Sequence, residues 1–215
     1  MLIYISKAFE DNIGANMHYK ALKEILGEEN IYTVDLRPID GNSRKNYKCY
    51  GKYKTPVHRI CRWLQGNMMF ISDNIIVDIC KIIRRENIKC VFIEDSVFGN
   101  LSRRIKKKFP EVRVVSFYHD IKANLYPQWI KKDRSILSFI EYKIGIRQEK
   151  INHKYADINM VFNKRDAKLF EAYYKSQPEV ILPLPAPVPS ISHDIMNSIT
   201  EKNDKKHILF VGKKY

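Results

Sequence analysis

This 215-residue sequence predicts a doubly wound α/β domain with a mainly parallel sheet and helices on both faces. Two observations carry the prediction. Short apolar runs alternate with segments of helical periodicity along most of the chain. The strand runs are apolar along their length, not apolar on alternate residues, as strands covered on both faces require.

The elements follow in order. "LIYIS" (2–6) is a strand, followed by a loop carrying Gly14. Met17, Ala21, Leu22, Ile25 and Leu26 then fall at helical spacing, and Gly27 closes the helix. "NIYTVDL" (30–36) is a second strand, and 37–62 is loop-rich and basic, with no element assigned. A helix over about 68–85 carries Ile71, Ile75, Ile76, Ile79 and Ile83 on one side. "KCVFIED" (89–95) is a buried strand, "NLSRRIKKKF" (100–109) a basic helix ended by Pro110, and "VRVVSFYHD" (112–120) another strand. Residues 127–154 read as one or two helices. Pro127 suits a first turn, and Ile136, Phe139, Ile140, Ile144 and Ile151 supply an apolar stripe. "DINMVF" (157–162), a helix over 164–175 and "EVILPLP" (179–185) complete a Rossmann-like or flavodoxin-like series without internal repeats.

Composition narrows the function classes. No segment approaches the roughly 18 apolar residues of a membrane span, and the N-terminus lacks the basic start and apolar stretch of a signal peptide. A cytoplasmic protein is expected. Cys49, Cys61, Cys80 and Cys90 form no C-x-x-C pair and have no histidine at zinc-finger spacing, so reduced thiols are expected and no metal site.

The formal net charge of +14 is unevenly spread. Between Arg37 and Arg62 stand eight basic residues, Arg44, Lys45, Lys48, Lys52 and Lys54 among them, against the single acid Asp40. Tyr47, Tyr50, Tyr53 and Trp63 are interleaved. The segment suits an anionic partner, and a peripheral position on an acidic membrane surface is one expectation. A solvated basic loop carries the same pattern. Without a helix-turn-helix, RRM or zinc-finger signature, no nucleic-acid partner is expected.

Parallel sheets bind ligands beyond the carboxyl ends of their strands, which directs attention to Lys7–Asn16, Glu94–Asn100 and His119–Asn124. Glu94, Asp95 and His18 could join in one cluster, although nothing in their spacing requires it.

The last third, "YADINMVFNKRDAKLFEAYY…EVILPLPAPVP", then a polar linker and "HILFVG", resembles the domain junction of GT-B glycosyltransferases. The likeness is strongest to the large retaining family that includes many bacterial polysaccharide enzymes. It covers the chain in order of elements and is most specific over 155–212. It implies an acceptor-side domain over 1–189, an interdomain linker over 190–207, and over 208–215 the first strand of a nucleotide-sugar domain. The implied activity is sugar transfer from a nucleotide-sugar donor to a saccharide or lipid-linked acceptor in surface polysaccharide synthesis. The nucleotide sugar would be bound mainly by the other domain, with no further cofactor. The chain by itself is then expected to be inactive, needing a donor domain in the same or a separate polypeptide. A non-catalytic partner subunit of a split transferase, or a basic nucleic-acid-binding α/β protein, are the alternatives.

The resemblance implies roles for particular residues. Gly14, with Ala15 and Asn16, matches the glycine-containing loop that approaches donor phosphates and acceptor, with one glycine where the family often has a pair. A plain strand-to-helix turn fits it equally. His119 follows "VVSFY", where the family often places a histidine facing the donor sugar, and Asp120 beside it could serve as acceptor-activating base. A turn with an Asx hydrogen bond accounts for the same pair. Asn163 matches the polar residue at the interdomain edge and also suits a helix N-cap. Glu94 stands at the same strand-end edge.

Overall fold

The computed structural model describes residues 1–6, 13–36, 46–50, 56–68, 71–133 and 135–183. Within them seven strands form one sheet: β1 (Leu2–Ser6), β2 (Ile31–Asp35), β3 (Tyr47–Cys49), β4 (Cys90–Ile93), β5 (Arg113–Tyr118), β6 (Ile158–Val161) and β7 (Val180–Ile181). Their order is β3-β2-β1-β4-β5-β6-β7, and every pairing is parallel. The helices are α1 (Ile13–Leu26), α2 (Pro56–Leu64), α3 (Asp73–Arg85), α4 (Gly99–Lys108), α5 (Lys122–Lys132), α6 (Ile136–Tyr155) and α7 (Lys164–Tyr174). This is the doubly wound Rossmann-like arrangement. Winding reverses between β1 and β4, since the chain builds outward from β1 through β2 and β3 before returning to its other side.

Alternate residues of the strands feed two cores. Ile3, Ile5, Val34, Val91, Ile93 and Val114 face one layer, where Ile75, Ile76, Ile79 and Ile83 of α3 and Leu101 and Ile105 of α4 meet them. Tyr4, Ile31, Phe92, Val115 and Phe117 face the other, against Tyr19 and Leu22 of α1. Both faces of every central strand are therefore dry, and each fully buried isoleucine contributes about 2 kcal/mol.

Local signals set several boundaries. Gly27 takes φ +79°, a left-handed conformation that ends α1, and its N–H reaches Lys23 O at 3.0 Å. Ser72 caps α3, so this helix starts five residues later than the apolar period alone predicts. The basic segment 37–62 holds β3 and most of α2, neither of which its composition announces. Of its five candidate surface cations, Lys48 lies on edge strand β3 and its ammonium sits 5.6 Å from the Tyr50 ring. Arg44, Lys45, Lys52 and Lys54 lie outside the described residues, as do the linker and terminal strand expected over 190–215.

Two expectations fail in the helical layer. Pro127 lies inside α5 and does not open it. The helix begins at Lys122 because Glu149, on α6, accepts the N–H groups of Lys122 (2.8 Å) and Ala123 (2.9 Å), capping the helix from a distant element. The stripe expected on α6 is also misplaced. Its buried residues are Glu141, Gly145, Gln148, Glu149 and Asn152, whereas Ile136, Phe139 and Ile140 of the expected stripe are exposed, Ile151 is half-buried, and Ile144 packs, partly buried, against the core. The polar face can be buried because partners meet it. Gln148 accepts from Asn100 N at 2.7 Å and donates to Gly66 O. Asn152 donates to Ser116 and accepts from Ser102. Glu149 also accepts from Ser96 at 2.8 Å and from Tyr174. Burial without those partners would be strongly unfavourable.

Candidate active site at the carboxyl edge of the sheet

Three side chains converge where the winding reverses. Glu94 is the first residue beyond β4, and its N–H still bonds Ile5 O of β1 at 2.9 Å, so the ladder fixes its position. His119 is the first residue beyond β5, the next strand out. His18 projects from the second turn of α1, the helix that follows β1. The Glu94 carboxylate is almost wholly buried, and Oε1 accepts from His18 Nδ1 at 2.8 Å. His119 Nε2 lies 3.0 Å from the same oxygen without forming an aligned hydrogen bond.

Tyr4, in the middle of β1, completes the arrangement. Its hydroxyl is 2.8 Å from Glu94 Oε2 and 2.7 Å from Ala15 O. It thereby ties the carboxylate to the first turn of α1, the turn that contains Gly14, Ala15 and Asn16. Aromatic rings wall the imidazoles. Phe117 stands edge-on to His18 at 4.4 Å and to His119 at 5.1 Å, and Phe162 lies 5.3 Å from His119.

The electrostatics follow from this enclosure. Burial alone would raise the Glu94 pKa, but the close approach of His119 and the hydrogen bond with His18 outweigh it and hold the carboxyl below its ordinary range. Burial, reinforced by the Glu94 charge, pushes the Tyr4 phenol well above its usual value and keeps it protonated. An ionised Glu94 orients the His18 Nδ1–H toward itself. His18 Nε2, on the other side of the ring, is buried with no hydrogen-bond partner. The two imidazoles aim at one carboxylate oxygen and the Tyr4 hydroxyl at the other, and not at a shared vacant point. Among the described residues no three such side chains gather as metal ligands do.

The other candidates sit apart from this cluster. Asp120 is exposed, and its carboxylate lies 3.4 Å from the ammonium of the buried Lys122. Asp95 accepts from Val97 N at 3.2 Å, closing a turn. Asn163, beyond β6, caps α7: its Oδ1 accepts from Asp166 N at 2.9 Å. The capping role and the edge position are both present. Gly14 lies in the first turn of α1, not in a loop before it, on the same edge as His119, with β4 between the strands that precede them. Glu94 occupies that intervening position.

Sequence reasoning reaches His119 and Glu94 through their places at strand ends. It does not reach Tyr4, which reads as an ordinary apolar-strand residue, and it offers His18 only as one possible member of a cluster with Glu94 and Asp95, of which the structure joins His18 to Glu94 and leaves Asp95 in a turn. An acid closing an apolar strand and a histidine early in the first helix are the signals that could join them.

Among the described residues no helix is long and apolar enough to cross a membrane. No protein-family model matches the chain, and no curated protein matches it.

Proposed function

We propose that residues 1–189 form the acceptor-side half of a GT-B sugar transferase, with the Glu94–His18–His119 cluster at its catalytic edge. One observation carries the reading. The histidine that the sequence resemblance assigns to the donor sugar stands beside a buried, ionised carboxylate at the crevice of a doubly wound sheet. In this reading His119 hydrogen-bonds a sugar hydroxyl and shares a proton with it, while Glu94 fixes the ring and stabilises its protonated form. His18 Nε2, without a hydrogen-bond partner, meets a second hydroxyl. Asp120 is the weaker candidate for base, because it faces solvent and pairs with Lys122.

The donor is a nucleotide sugar held by a separate donor domain, and the acceptor a saccharide or a lipid-linked saccharide in surface polysaccharide synthesis. A peripheral position at an anionic membrane belongs to the same reading. The test is to join the chain to a nucleotide-sugar-binding domain and measure transfer to a soluble saccharide acceptor. His119→Ala should lower kcat by ~10²-fold, the scale for a positioned proton-sharing group. Asp120→Ala should leave it within about threefold, less than the loss expected of a general base. Equal rates for wild type and His119→Ala would overturn the assignment.

A further inference from the structure

Three helices extend past the ligand edge of the sheet. α6 reaches the level of the strand ends at Glu149, which touches Ser96 beyond β4 and Lys122 beyond β5. The thirteen residues from there back to Ile136 rise about 20 Å at 1.5 Å per residue. α5 runs antiparallel beside this extension: the Tyr126 ring lies against Gly145, and Trp129 lies 5.7 Å from the Tyr142 ring. α2 flanks it with the same sense as α6, opposite to α5. Gly66, just past its end, meets Gln148, and Arg59 pairs with Glu141 one helical stretch higher. The result is an arm whose tip is the first turn of α6.

That tip is apolar and bare. Ile136 is 76% exposed, Leu137 52%, Phe139 46%, and Trp129 below them 42%. Exposure of this kind, gathered on one turn, marks a contact surface. The charges around it are mostly positive. Among the described residues of 128–147 stand four basic side chains (Lys131, Lys132, Lys143 and Arg147) and two acids, Asp133 and Glu141. Glu141 is buried against Arg59, which leaves Asp133 as the exposed acid. Lys143 lies along Phe139, its ammonium 5.4 Å from the ring, the disposition of a lysine that follows an apolar surface and keeps its head in water.

We infer that this tip docks on a bilayer containing anionic lipid, with Ile136, Leu137 and Phe139 entering the headgroup–acyl boundary and Lys131, Lys132 and Lys143 meeting lipid phosphates. A projecting apolar turn ringed by cations complements a negatively charged plane. A second copy of the chain does not complement it, because two such tips would bring like charges together. Trp129 then sits at the depth that interfacial tryptophans favour. The inference rests on the peripheral-membrane part of the proposed function and not on its transfer chemistry. It moves the apolar contact from the basic 37–62 segment to the arm, and it places the Glu94 cluster near the arm's base.

The full chain is sedimented with vesicles of phosphatidylcholine alone or with about 30% phosphatidylglycerol, a composition chosen to give the negative surface potential that attracts basic segments. It should bind only the anionic vesicles and be released as salt rises. Ile136→Ser with Phe139→Ser should lower the partition coefficient at least ~10-fold, and Lys131→Gln and Lys132→Gln about fivefold each. In a Trp63→Phe background, the Trp129 emission should shift to the blue on binding. These side chains are exposed, so the variants should keep the wild-type thermal midpoint, which is measured alongside. Equal binding to neutral vesicles would overturn the inference, as would unchanged binding by the serine variant. So would loss of binding only when Arg44, Lys45, Lys48, Lys52 and Lys54 are replaced, or a concentration-dependent dimer abolished by Phe139→Ser without vesicle binding. Transfer to a soluble acceptor is unaffected by these changes, so failure of docking and failure of the transferase reading are separable.

Discussion

Replacing Glu94 separates its charge from its shape. In Glu94→Gln the amide oxygen can still accept from His18 Nδ1, which lies 2.8 Å away in the wild type. The amide NH₂ can donate to the Tyr4 hydroxyl, because that hydroxyl has Ala15 O at 2.7 Å to receive its own proton. No buried group need be orphaned, and the loss is that of charge assistance in two hydrogen bonds, about 1 kcal/mol each and so about 2 kcal/mol. Glu94→Ala removes the acceptor altogether and leaves His18 and Tyr4 facing a cavity, for about 3–5 kcal/mol. Urea unfolding at constant m-value measures both. The two variants should also differ from wild type in pH dependence. The folded pKa of Glu94 lies below its unfolded value of roughly 4.3, so its ionisation adds stability above that value, and this share disappears as pH falls through the folded pKa. Glu94→Gln should flatten the acid limb of the stability curve. Equal losses for Gln and Ala, or an unchanged acid limb, would refute the view that an ionised Glu94 organises the cluster.

Three further outcomes are expected. Gly99→Ala should cost about 2–3 kcal/mol in urea unfolding, since a Cβ there would lie 2.1 Å from the Gln148 carbonyl oxygen and 2.7 Å from Asn152 N, both backbone atoms of α6. Glu149→Gln should cost about 3 kcal/mol, because an amide NH₂ would face the N–H or hydroxyl donors that the carboxylate accepts. Among the four free cysteines, the exposed Cys61 should react with a thiol reagent in the native protein, while Cys80, buried and with its thiol pKa raised by that burial, should react only on unfolding.

Much of the fold was legible in the sequence because central parallel strands bury both faces. "LIYIS", "NIYTVDL" and "KCVFIED" have no other use for unbroken apolar runs. β3 was not legible: three residues on the sheet edge within a basic segment carry almost no burial signal. The orientation of α6 was illegible for a different reason. Its buried face is polar, and its partners, Ser96, Ser102, Ser116 and Asn100, lie at least 36 residues away. Periodicity cannot tell a satisfied polar face from a solvated one. The site divided along the same line. His119 and Glu94 were visible because strand ends in such a sheet share one edge. The bond from His18 to Glu94 spans 76 residues and depends on how α1 lies across β4 and β5, which no local pattern encodes.

The most direct test of the central claim is to follow the imidazole NMR signals of His18 and His119 as saccharide acceptors are added to the chain. Binding at the carboxyl edge should shift both signals, with Glu94→Gln weakening the response. The His153 signal should stay in place, because that ring stacks on Tyr174 on α7 and lies outside the cluster. Saccharides that leave His18 and His119 unmoved, or that move His153 alone, would contradict the account.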